Sequence, residues 1–279
     1  MSDPDPIDEG ESELPRFRMD KDLRDAAATL GPEEARFLVS LYYTMQGNRI
    51  RAANQLRQLE KGEKPHAIIE WFMQRNEMLE GQAKSVLDRF SKATKLGVWA
   101  RSIPGIGPVI SSGLISHIDI SKCPTVGHIW RFAGLDPTDK WEPKTKRPWN
   151  AELKTLCWKL GESFVKVSGN KKDIYGKVYL ERKALEERNN ELGQYAGQAA
   201  MGAARVGKTT EAYKSYIEGK LPKGHIHARA KRYAVKLFLS HFHHVGYLLA
   251  NGTPPPKPYV ISHLDHVHFL EPPNMNLVK

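Results

Sequence analysis

Residues 102–109 read Ser-Ile-Pro-Gly-Ile-Gly-Pro-Val, and this octet constrains the local fold more than any other stretch of the chain. Two prolines and two glycines within five positions cannot continue a helix, yet helix-like segments flank them on both sides. Gly105 and Gly107 carry no side chain, so the backbone there is expected to take positive φ and to approach a surface closely. The next helix is expected to start near Pro108, because Pro suits the first helical turn. Its first amides and the positive end of its dipole then offer a site for an anion such as phosphate. The plainer reading of the same residues is a helix–loop–helix turn closed by a C-cap glycine. The residues downstream of the turn decide between the two.

Charge points towards a polyanion. The 279 residues carry a net +10, and six carboxylates with no Lys or Arg fall within residues 1–13, so the remainder carries +16. A basic body of this kind suits nucleic acid, although a merely basic protein has the same composition. Cys123 and Cys157 lack CxxC spacing, which argues against a disulfide framework or a Cys-based zinc site. No apolar run has membrane-spanning length and the first residues are acidic, so a cytoplasmic, nucleoid-associated location is expected, with no membrane partner.

The pattern along the chain is mainly α, a helical bundle. Residues 1–20 read as a disordered acidic arm and 21–97 as an N-terminal helical region. Residues 98–250 hold the turn and most of the basic residues, and 251–279 form a Pro-rich tail, extended and either docked or loose. Helical periodicity runs from about Leu23 to Arg57, with a dense apolar patch at Ala35, Phe37, Leu38, Val39, Leu41, Tyr42 and Tyr43. Breaks are expected at Gly47-Asn48 and Gly62-Glu63-Lys64-Pro65. Residues 66–95 form the clearest amphipathic helix, with Ile68, Ile69, Phe72, Leu79, Ala83, Val86, Leu87 and Phe90 on its stripe. That stripe is too irregular for a long coiled coil, though self-association stays open. Further helices fit 150–168, 173–192 and 224–250, the last with Ala230, Tyr233, Ala234, Leu237 and Phe238 facing inward. Tyr259-Val260-Ile261 is the best strand candidate.

Residues 101–137 combine the Pro-Gly-Ile-Gly turn, a small-residue helix and Phe132-Ala133-Gly134-Leu135-Asp136-Pro137. This combination resembles the C-terminal domain of insertion-sequence 110 type transposases (transposase family 20), which share the turn and an Ala-Gly-Leu-x-Pro segment. Pro148 to Lys154 is similar to the family's Gly-Asn-x-x-Leu-Arg helix start, and His227 to Lys236 to its closing basic helix. The resemblance implies a helix-hairpin-helix that holds the DNA backbone without reading sequence. Pro104, Gly105, Ile106, Gly107 and Val109 would form the contact, the amides of Ile106, Gly107 and Val109 donating to phosphate. A mobile element or prophage is the implied setting, with DNA, duplex or branched, as partner and RNA left open.

The departures matter as much. The family carries an N-terminal RuvC-like domain with acidic metal ligands, and residues 1–100 read as helical with no such strand. It also uses a serine nucleophile after the Gly-Leu-x-Pro segment, where residues 138–149 here contain none. Thr138 and Thr145 are the hydroxyls in that loop, and an activating base is required of either. Ser111 and Ser112 are off-motif candidates better suited to packing. The chain is therefore expected to bind DNA, no cofactor being called for. The alternative is a strand-transfer enzyme using a threonine, an off-motif serine or a partner's catalytic domain.

Other residues compete for roles. Lys144, Lys146 and Arg147 lie in a loop with Trp141 and Trp149 that could grip phosphates and stack on a base. Equally, the tryptophans could cap the core. Arg229, Arg232 and Lys236 share a helical face at spacings of three and four, and Lys231 points elsewhere; the stripe could track phosphates or be a solvated face. Residues 202–209 match a phosphate-loop pattern, but the residues before them are too small and polar for its buried strand, so no nucleotide binding is expected. Eight of eleven histidines follow residue 224. Among them His263, His266 and His268, with Asp265, make a conceivable metal site, against packing and surface histidines.

Overall fold

The computed structural model describes residues 19–59, 66–256 and 270–278, and every regular element among them is helical. Helix α1 (Lys21–Ala26) starts at Asp20, whose carboxylate accepts from the Leu23 amide. Helix α2 (Pro32–Leu59) opens with Pro at its first position and Glu33 and Glu34 in its first turn, where negative charge favours the dipole. It continues through Gly47-Asn48, where the sequence leads one to expect a break. The cost of one glycine in a helix, about 1 kcal/mol, is offset by packing on both sides of it. Val39 and Tyr42 are buried before the pair, and Arg49 just after it bonds Glu80 at 2.6 and 3.2 Å.

Glu80 belongs to α3 (Ala67–Lys92), which folds back along α2. Only the second half of the expected α3 stripe is buried: Ala83, Val86, Leu87 and Phe90 are covered, whereas Ile68, Phe72 and Leu79 face outward, Phe72 at 63% exposure. Phe37 of α2 is likewise exposed, outside the patch expected for it.

The remaining helices are α4 (Lys95–Arg101), α5 (Pro108–His117), α6 (Val126–Phe132), α7 (Ala151–Val167), α8 (Tyr175–Glu191), α9 (Ala196–Ala203), α10 (Glu211–Ile217) and α11 (Lys223–Asn251). Helix α11 is the spine, packed against α4, α6, α7 and α8. Its Phe238 and Phe242 meet Trp99, Phe164 and Tyr175 in an aromatic core, with Phe164 and Tyr175 stacked at 4.9 Å and Tyr175 edge-on to Phe238 at 5.3 Å. Tyr233 does not join this face; it is exposed, with the Arg182 guanidinium 4.7 Å above its ring. A second cluster of Val39, Tyr42, Ala83, Leu87 and Val109 seats the α2–α3 pair on α5. There the Ser112 hydroxyl donates to the Leu87 carbonyl at 2.8 Å.

The described end of the tail is docked. The Trp99 indole donates to the Pro273 carbonyl at 2.7 Å, Asn274 donates to the Ser102 hydroxyl at 2.9 Å, and Val278 is buried. The acidic stretch 1–18, the expected break at 62–65 and the strand candidate Tyr259 to Ile261 lie outside the described residues. No described helix is long and apolar enough to cross a membrane.

Candidate nucleic-acid interface

The octet folds as a turn between α4 and α5. The Ile106 amide donates to the Ile103 carbonyl at 3.0 Å, with Pro104 and Gly105 between them and Gly105 at φ +90°. Proline second and a positive-φ glycine third is the arrangement of a type II turn. Two expectations change. The Ile106 amide serves the turn itself and is not offered to a ligand. Gly107 has φ −86° and ψ 178°, an extended N-cap rather than a left-handed residue.

The turn is held from behind. Arg101 donates to the Ile106 carbonyl at 3.0 Å and to Asp88 at 2.8 Å, and Ser163 donates to the Gly105 carbonyl at 2.5 Å. Past it, α5 begins without a side-chain cap, and no described residue accepts from the amides of Gly107, Val109 or Ile110. A Cβ placed on Gly107 would meet nothing within 4 Å. The start of α5 therefore has unpaired donors, the positive end of a dipole and open space in front.

The segment 132–137 closes α6. Gly134 takes φ +63°, and the Leu135 amide reaches back to the Trp130 carbonyl at 2.8 Å, as in a Schellman cap. A side chain on Gly134 would strike the Trp149 ring at 2.8 Å and Lys154 at 3.0 Å. The glycine is required twice over, for its conformation and for the tryptophan packed on it.

Residues 87–148 match the model of the transposase IS116/IS110/IS902 family. The match runs from the end of α3 through the turn and the Gly-Leu-x-Pro segment to Pro148, well under half of the chain. Neither the comparison with curated proteins nor that with solved structures finds a match. The stretch holding the turn and the α6 cap is thus transposase-related.

Lys144, Lys146 and Arg147 lie inside this segment and Arg229, Arg232 and Lys236 beyond it, and the six sort into three groups. Arg229 is tied down: its guanidinium donates to Glu186 at 2.7 Å, and Glu186, 1% exposed, also accepts from Arg182 and Tyr195. Lys144 and Lys146 are exposed and make no ion pair among the described residues, while Arg147 lies 5.2 Å over the Trp141 ring. The Trp141 indole donates to the Thr145 carbonyl at 2.9 Å, so the loop is folded on itself. Arg232 lines a cavity with the Gly134–Pro137 turn, and the Lys236 charge acts on Asp136 within that turn. Lys236 sits 4.0 Å from the Trp130 ring, and Arg232 has no hydrogen bond or ion pair among the described residues.

Three residues not singled out as contacts in the sequence join Arg232 here. Lys154 and Trp158, one turn apart on α7, line a cavity with Lys231, which also bonds Glu162. Their i, i+4 spacing beside the Pro148–Lys154 resemblance was the signal that could have found the α7 pair. Burial pulls the Lys154 ammonium below its usual range, and the positive charges of Arg232 and Arg147 pull it further. Lys236 is lowered chiefly by burial, Asp136 opposing the charge of Arg232. These cations crowd one another, so an arriving anion relieves repulsion.

The hydroxyl candidates separate cleanly. Ser111 and Ser112 are fully buried and donate to backbone carbonyls of Gly107 and Leu87. Thr145 donates to the Glu142 carbonyl. Thr138 is exposed and donates to the Asp136 carboxylate at 2.7 Å, which also accepts the Thr138 amide and is held below the usual carboxylate range by these bonds. The phosphate-loop pattern lies across the end of α9 and the loop before α10, with no strand before it, and a side chain on Gly202 would strike the Tyr216 ring at 2.6 Å. His241 and His243 are buried and donate to the Leu270 and Cys123 carbonyls, as packing histidines do. His263, Asp265, His266 and His268 lie outside the described residues.

Proposed function

We propose that this chain is a DNA-binding protein related to transposases, gripping the phosphate backbone through the turn at residues 102–107 and the start of α5. The observation that carries the reading is the set of unpaired amides at Gly107, Val109 and Ile110 beneath open space. Lys144, Lys146, Arg147, Arg232 and Lys236 add the salt-dependent attraction, and Arg229, bound to Glu186, serves the fold. Residues 98–250 form the binding part. Residues 21–97 contribute a self-association face around the exposed Ile68, Trp71 and Phe72. A mobile element or prophage is the setting that the transposase likeness suggests.

The test is binding of labelled duplex, four-way junction, single strand and structured RNA at two salt concentrations, on native and denaturing gels. Salt-sensitive complexes that vanish on denaturation support the reading; absence of any complex overturns it. One observation favours a second reading, a strand-transfer enzyme. Thr138 is an exposed hydroxyl already bonded to a carboxylate that could take its proton. An adduct that survives denaturation and is lost in Thr138→Ala would establish it.

A further inference from the structure

Between the Gly134–Pro137 turn, α7 and α11 lies a cavity of about 260 Å³. Its floor is small and apolar, formed by Cys157, Gly161, Ala228 and Val235. Its rim carries Lys154, Lys231 and Arg232, and one wall is the Trp158 ring, 60% exposed on a helix whose other large apolar residues are mostly covered. An aromatic face, an apolar floor and a cationic rim match the three parts of a nucleotide: the base surface, its edge and its phosphate. The volume falls below the roughly 300–1,000 Å³ of drug-sized sites, which suits one planar ring system.

We propose that this cavity holds one unpaired nucleotide of the bound strand, its base against Trp158 and its phosphate between Lys154 and Arg232. A base inside a duplex keeps both faces stacked, so only an unpaired or extruded base reaches such a wall. The Lys154 ammonium lies 3.8 Å from the Trp149 ring, which holds it at the rim. Asp136 is the carboxylate on the opposite wall, and its Oδ1 already accepts two bonds from Thr138. The cavity and the 102–107 turn flank α7 on opposite sides, Lys154, Trp158 and Gly161 facing the one, Ser163 and Val167 the other. The proposal rests on the nucleic-acid reading above and adds which structure is preferred.

The test measures fluorescence anisotropy of the full-length protein with four probes: a 20-base-pair DNA duplex, the same duplex with one unpaired central thymidine, a 20-nucleotide DNA strand and its RNA counterpart. The expected result is about tenfold tighter binding of the DNA probes with unpaired bases than of the paired duplex. Trp158→Ala should erase that preference and leave the paired duplex unchanged, and Trp158→Phe should keep most of it. Both positions are at the surface, so Arg232→Gln, expected to weaken the preference too, serves as a second folded variant. A preference that is absent, or that survives Trp158→Ala, overturns the proposal. A preference that depends on Trp158 but is stronger for RNA upholds the cavity and names the strand as RNA. Gly107→Asp weakens all probes alike if the turn grips backbone. If Gly107→Asp has no effect while Trp158→Ala erases the preference, the turn reading fails and the cavity stands. Binding to none of the four overturns both.

Discussion

Gly105 and Gly107 stand two positions apart and answer to different forces. Gly105 takes φ +90°, and a side chain there would press Val167 at 3.2 Å and Ser163 at 3.3 Å. Gly105→Ala is expected to lower stability by about 1–3 kcal/mol, read as a fall in thermal midpoint. Gly107 has ordinary extended backbone and free space above it, so nothing in the fold demands glycine there. Aspartate is a good N-cap and matches the helix dipole. Gly107→Asp should therefore hold stability or raise it by roughly a few tenths of a kcal/mol while weakening DNA binding tenfold or more. A stabilised variant with full affinity would remove the turn from the interface. That a turn stands here was legible in its residue types, but that Gly105 and not Gly107 takes the left-handed conformation was not. That distinction depends on Val167 and Ser163, some sixty residues away. The second duty of Gly134 was hidden in the same way, since its neighbour Trp149 is supplied by the far end of the loop.

At the scale of the element, α11 concentrates both the histidines and the network that fixes its pose. Tyr175 donates to His241 Nδ1 at 2.6 Å while Nε2–H donates to the Leu270 carbonyl, so the ring is neutral and fully used. Burial pushes its pKa down from 6.5 to about 4. Above pH 6.5 the folded and unfolded chains hold the same protons at this site, and its stabilisation is complete. As pH falls from about 6.5 towards about 4 the unfolded chain is protonated first, and stability falls by up to 1.4 kcal/mol per pH unit. His117 and His243 are lowered by burial in the same direction and add to the slope. Urea titrations between pH 7 and 5 should show this decline, and His241→Asn should be less stable at pH 7 yet lose about one proton from the slope. An unchanged slope would mean that His241 is protonated in the folded chain. Glu186 ties α8 to α11 through Arg182, Arg229 and Tyr195. Removing it in Glu186→Ala leaves two guanidinium groups short of a partner and should cost about 3 kcal/mol in chemical denaturation. The boundaries of α7 and α11 could be read from their periodicity, since long amphipathic helices declare themselves. The passage of α2 through Gly47-Asn48 could not, because the Arg49–Glu80 pair and the α3 surface that override the local preference are tertiary. For the same reason the shared face of Arg229, Arg232 and Lys236 divides: buried Glu186 takes the first, the cavity the second and Trp130 the third.

For the whole molecule, the net +10 sets an attraction that any nucleic acid would feel, and its value depends on which cations meet phosphate. Composition showed the excess but not its placement. The chain assembles the relevant surface from the 132–149 loop, α7 and α11, whose facing sides are fixed only when α11 docks as the spine. In that assembly Lys154 and Arg232 crowd each other at one cavity, whereas Arg229 is neutralised by Glu186. The two kinds of cation should separate in the salt dependence of binding to the duplex with one unpaired thymidine. Each phosphate contact contributes about 0.9 to the slope of log affinity against log salt. Affinities measured from 50 to 200 mM salt should give a slope that falls by about that amount in Arg232→Gln and again in Lys154→Gln. Arg229→Gln should leave the slope unchanged and lower stability instead, because it breaks a bond inside the fold. If Arg229→Gln reduced the slope while Arg232→Gln did not, the guanidinium seen on Glu186 would have to leave it on binding. The face of α11 that meets the phosphate backbone would then be the one turned towards α8.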